Sequence, residues 1–114
     1  MDERKIIEEI EKITQKTVDG RMQWKQMEPG FLRWTHIESS RSFFTTLQKL
    51  NLSSALPSDY YFTLQATDPA EVLLQINSRN KPGVREALKK MYDIATKAIN
   101  DRTVNTIDSL LNRI

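Results

Sequence analysis

Apolar and polar residues follow two different periods along this chain, and the changes of period divide it into three stretches. In the first, Ile6, Ile10 and Ile13 recur at spacings of four and three, with Ile7 beside them and Val18 beyond. Glu3, Arg4, Glu8, Glu9, Glu11 and Lys12 occupy the intervening positions. A period near 3.6 gathers the isoleucines on one arc and the charges on the other, so the pattern predicts an amphipathic helix ending at the Asp19-Gly20 turn.

From Gly20 to about Ile76 the period falls to two, as side chains on a strand point to alternate faces. Met22 and Trp24 alternate with Arg21, Gln23 and Lys25 in a first strand. Glu28-Pro29-Gly30 marks a turn, and Phe31 to Ile37 reads as a second strand. Glu38-Ser39-Ser40-Arg41 is a further turn, Ser42 to Leu47 a third strand rich in Phe and Thr, and Leu50 to Ser58 a loop. The clearest signal is a hairpin in which Tyr60, Phe62 and Leu64 alternate with polar neighbours, as do Val72, Leu74 and Ile76. If the register aligns them, all six share one buried face. Asp68-Pro69 suits the first two positions of a type I turn between the strands.

In the third stretch Pro82 fits the first turn of a helix, and Val84, Leu88, Met91, Ala95 and Ile99 form an apolar stripe. Val104, Ile107, Leu111 and Ile114 form a second stripe after Asn100-Asp101-Arg102, where Asn100 or Asp101 can cap a new helix. The pattern predicts two helices with a break, both resting on the sheet face built by Phe62, Leu64, Leu74 and Ile76. Ile6, Ile10 and Ile13 complete the same core. The expected fold is α+β: an antiparallel sheet of three to five strands with N-terminal and C-terminal helices packed on one face. The 114 residues, 1–114, make a single domain.

Composition narrows the chemistry. Four Phe, three Tyr and two Trp within a 39% hydrophobic chain give it a core to bury, which argues against disorder. The absence of Cys excludes a disulfide framework, a thiolate nucleophile and thiolate metal sites. No apolar run approaches the ~20 residues of a membrane helix. Met1-Asp2-Glu3-Arg4-Lys5 leads into charge rather than a hydrophobic leader, so a cytoplasmic location is expected. Gly20, Gly30 and Gly83 are spaced too widely for a phosphate-cradling loop. His36 is the single histidine and cannot assemble an imidazole metal site; as a general base it would need a nucleophile and an orienting acid, with only Glu38, Ser39 and Ser40 nearby in sequence. Asp59 and Asp68 are explained by turns, and the Asn51-Leu52-Ser53 sequon has no meaning without secretion. No catalytic residue, cofactor or metal is assigned.

Two surfaces remain. The adjacent pairs Phe43-Phe44 and Tyr60-Tyr61 must each send one ring to either face of the sheet, so Phe44 and Tyr61, with Leu73, are expected on the face away from the helices, as a partly apolar surface with something to bind. The net charge is +2, and residues 81–114 carry seven bases against four acids. A solvated helix face is the ordinary cause of such an excess, although Arg85, Lys89 and Lys97 would also suit phosphate contacts along a nucleic acid.

Thr17-Val18-Asp19-Gly20-Arg21-Met22-Gln23-Trp24, following a helix, resembles the Thr-x-x-Gly-x-x-x-Trp entry to the strand meander of small uncharacterised bacterial domains, and Met91-Tyr92-Asp93-Ile94-Ala95 with the Val104–Leu111 stripe is similar to their closing helices. The resemblance implies a bacterial cytosolic origin and no catalytic residues. The functional expectation is a non-catalytic protein–protein interaction module, acting as a homodimer or an adaptor. The alternative is a nucleic-acid-binding accessory domain that uses the basic C-terminal helix.

Overall fold

The computed structural model describes residues 1–50 and 57–114. Its elements are α1 (Glu3–Val18), β1 (Lys25–Glu28), β2 (Phe31–Ile37), β3 (Ser42–Lys49), β4 (Tyr60–Ala66), β5 (Glu71–Asn77) and α2 (Arg85–Leu111), the last entered through a 3-10 turn at Pro82–Val84. The strands form one antiparallel meander in the order β1-β2-β3-β4-β5. Both helices lie on one face of it, an α+β architecture two layers deep with a shortest extent of 23 Å. The predicted loop over Leu50 to Ser58 falls largely on residues 51–56, as does the Asn51-Leu52-Ser53 sequon, outside the described residues.

Local chemistry sets the ends of α1. The Asp2 carboxylate accepts the Lys5 backbone N–H at 2.8 Å, satisfying one of the donors that a helix start leaves without a partner. At the other end Gly20 takes φ 76°, which only glycine adopts without strain. The Gly20 N–H then donates to the Thr17 carbonyl and the Arg21 N–H to the Lys16 carbonyl, the two bonds of a Schellman cap. The chain next buries Met22 and Trp24 before β1 opens at Lys25. The apolar-polar alternation at residues 21–25 thus belongs to the run into the strand, and β1 starts later than predicted.

The core is built on a row that crosses four strands. Leu32, Leu47, Phe62 and Ile76 are successive register partners on β2, β3, β4 and β5, and all four are buried. Ile6 and Ile10 of α1, with Val84, Leu88, Met91 and Ala95, cover that row. Ile13, Leu64, Leu74 and Ile99 pack at its margin, half-buried.

Three expectations are corrected. Val72 does not join the buried face: a bulge shifts the β4–β5 register between Leu64 and Gln65, so Val72 pairs with Gln65 and is 56% exposed. The hairpin loop is closed by Asp68 at φ 57° and a cis Asp68–Pro69 bond rather than by a type I turn. The C-terminal region is one helix of 27 residues, about 40 Å long, not two. Asn100-Asp101-Arg102 contains neither Pro nor Gly, and the Lys97–Asp101 pair at 2.9 Å spans the expected break.

The second stripe is displaced in phase rather than separated by a break. Val104 lies sixteen residues beyond Leu88, which at 3.6 residues per turn rotates it by about 160°. Ile107 and Leu111 fall on the same rotated arc, and Ile114 follows three residues past the helix end. None of the four rests on the sheet; Val104 is 54%, Ile107 49%, Leu111 58% and Ile114 89% exposed.

Candidate functional site

Helix α2 is a core element for its first half and a projecting arm for its second. Glu3, at the start of α1, lies against Gly83, and Val18, at its end, lines the same groove as Ala98 and Asp101 of α2. The two helices therefore run side by side in the same direction, and α2 continues about 15 Å past the end of α1. Near the start of that extension Arg102 ties the helix to the domain, its Nη2 donating to the Trp24 carbonyl at 2.6 Å.

Beyond that tether the character of the helix reverses. The arc that continues the core face carries Arg102, Thr106, Ser109 and Arg113, which line an open groove of about 580 Å³ shared with Thr17, Gly20 and Met22. The arc turned away from the domain carries Val104, Ile107 and Leu111, with exposed Leu110 alongside and exposed Ile114 just past the helix end. Only Asp108 and Arg113 are charged among residues 103–114, against six charged residues in 85–97. Helix faces left in water are usually charged, and interface cores are depleted in charge. The repeat of Val104, Ile107, Leu111 and Ile114 was legible in the sequence; its exposure was not, because a stripe is read as core by default.

The predicted sheet surface mixes aromatic and polar side chains. Phe44 and Tyr61 do lie on the helix-free face, both half-buried, but they stand on either side of the paired residues Thr46 and Thr63, whose hydroxyls hydrogen-bond to each other. Gln65 faces Phe44 across the strands, Gln48 faces Tyr61, and the Gln75 amide bonds to the Tyr61 hydroxyl. Leu73 is 39% exposed at the β5 bulge.

The three cations proposed for phosphate contact each have a carboxylate. Arg85 Nη2 lies 2.8 Å from Asp59, Lys89 Nζ 2.9 Å from Asp93, and Lys97 Nζ 2.9 Å from Asp101. The Lys89 ammonium is held protonated above its usual range, first by the hydrogen bond to Asp93 and then by that carboxylate's charge.

His36 belongs to an aromatic ladder that sequence reading did not assemble. Its ring stacks on Trp34 at 5.6 Å with planes 6° apart, and Phe43, its cross-strand partner, follows at 6.3 Å. The Arg41 guanidinium covers Phe43 at 5.6 Å and is itself fixed by the Thr67 and Pro69 carbonyls and the Glu71 carboxylate. The acid nearest His36 is Glu38, at 3.4 Å, on the exposed side. Among the described residues no three His, Asp or Glu side chains come together as metal ligands. Among the same residues no helix is long and apolar enough to cross a membrane. No protein family, curated protein or solved structure matches the chain.

Proposed function

We propose that this chain is a non-catalytic protein-interaction module whose contact surface is the apolar arc of the α2 arm. The observation that carries the reading is the exposed stripe of Val104, Ile107 and Leu111 on a helix that has already left its own core, continued by Ile114 just past the helix end. Four branched aliphatic side chains at spacings of three, four and three present the anchor pattern of helix-to-helix or helix-in-groove recognition. A domain needs no such stripe for its own stability when the core is closed by Leu88, Met91 and Ala95 on the opposite arc. A protein partner is favoured over nucleic acid because Arg85, Lys89 and Lys97 are already occupied by carboxylates.

Site-specific photo-crosslinking inside the expressing cell tests this. A benzophenone side chain in place of Ile107 is expected to give discrete protein adducts, whereas one in place of Lys89, on the charged part of the same helix, gives none. A folded chain that yields no adduct from position 107, or equal adducts from both positions, overturns the reading.

A further inference from the structure

Resting on that reading, we infer that the partner is a second copy of this chain, with the two α2 arms packed antiparallel about a two-fold axis. The spacing three-four-three reads the same in both directions. In an antiparallel pair centred near Ser109, Ile107 of one copy therefore meets Leu111 of the other, and Val104 meets Ile114 of the segment just past the helix end, so each apolar side chain finds an apolar counterpart. A lone arm supplies both halves of such an interface without any further surface being invoked.

The area also suits a dimer. The five exposed aliphatic side chains present on the order of 500 Å² per copy, so complete pairing would remove at most about 1,000 Å² from water, the lower edge of specific interfaces and the range of a weak, reversible dimer. The flanks of the stripe are sparsely charged: Leu110 lies on one side and Asp108 on the other. The two Asp108 carboxylates approach each other near the axis, a like-charge contact that keeps the association weak and reversible. The arm projects beyond α1, so a second helix can lie along it without displacing the domain.

Sedimentation equilibrium of the purified chain over a micromolar to millimolar series is expected to show a reversible rise from 13.3 kDa to twice that mass. Ile107→Asp with Leu111→Asp abolishes the rise, while Asn105→Asp, on the groove side of the same helix, leaves it intact. Orientation is read by disulfides, for which the cysteine-free chain is a clean background. An equimolar mixture of Val104→Cys and Ile114→Cys chains cross-links under mild oxidation, and Val104→Cys alone does not, because antiparallel arms hold the two copies of position 104 about 15 Å apart. A wild-type chain that stays monomeric throughout overturns the inference. So does a dimer indifferent to the paired Asp substitutions, or Val104→Cys that cross-links alone as readily as the mixture. A monomer whose position 107 still gives cellular adducts of another mass removes the second copy but leaves the interaction reading standing; absence of both removes the two together.

Discussion

At the scale of single residues, the eight-residue entry motif is a folding device. Trp24 is 1% exposed, and its indole N–H donates to the Thr17 hydroxyl at 2.9 Å; that hydroxyl in turn donates to the Ile13 carbonyl one turn back. Gly20 supplies the left-handed residue that turns the chain so that Trp24 reaches Thr17. Thr, Gly and Trp at this spacing are thus explained by packing and capping. Thr17→Val keeps the shape and removes the acceptor, leaving a buried donor unpaired. It is expected to lower stability by about 1–3 kcal/mol in urea melts. Thr14→Val, which removes only a hydroxyl bonded to the carbonyl of Ile10 within its own helix, is expected to cost much less. Equal midpoints for the two variants would show that the indole is not held by Thr17.

At the scale of elements, α2 divides in a way that two substitutions separate. Leu88 is completely buried on the core arc, so Leu88→Ala is expected to cost about 2–5 kcal/mol through lost burial and a residual cavity. Ile107 is about half exposed on the arm, and Ile107→Ala is expected to change the stability of the dilute monomer by less than about 0.5 kcal/mol. Urea midpoints at low protein concentration decide it; equal losses would place Ile107 in the same core as Leu88. The period-two signal of β4 and β5 and the isoleucine arc of α1 were legible because each reports burial against a single neighbouring layer. The bulge that turns Val72 outward was not, since register depends on the partner strand rather than on the strand's own alternation. The continuity of α2 was hidden for a related reason: a shift in helical phase and a break between helices leave the same mark in a hydrophobic pattern. The aromatic ladder of Trp34, His36 and Phe43 needed the β2–β3 register before it became visible.

At the scale of the whole molecule, one carboxylate joins sheet to helix, and its titration is expected to set part of the acid sensitivity of the fold. Asp59 precedes β4 and accepts from the Ser78 hydroxyl at 2.7 Å and from Arg85 Nε and Nη2 at 3.0 and 2.8 Å; Arg79 stands 3.5 Å away. Ser78, wholly buried just after β5, also accepts the Tyr60 N–H at 2.9 Å, so the start of β4, the end of β5 and the first turn of α2 meet at this group. The Ser78 hydrogen bond, then those of Arg85 and its charge, hold the Asp59 carboxyl below its usual value despite some desolvation. A carboxyl that binds its proton less tightly folded than unfolded stabilises the fold above its unfolded value, near pH 4, and loses that contribution as pH falls through the lower folded value. Glu9 is held low in the same direction by Lys12 and Lys5, so the total acid response is not due to Asp59 alone. Comparison with Asp59→Asn isolates it. The variant is expected to be less stable than wild type by a constant margin between pH 5 and pH 7, and the margin is expected to shrink as pH drops below about 4. Urea midpoints of both proteins across that range give the difference directly. A margin that stays constant to the lowest pH at which both remain folded would mean that shape, not the charge of Asp59, holds the strands to α2.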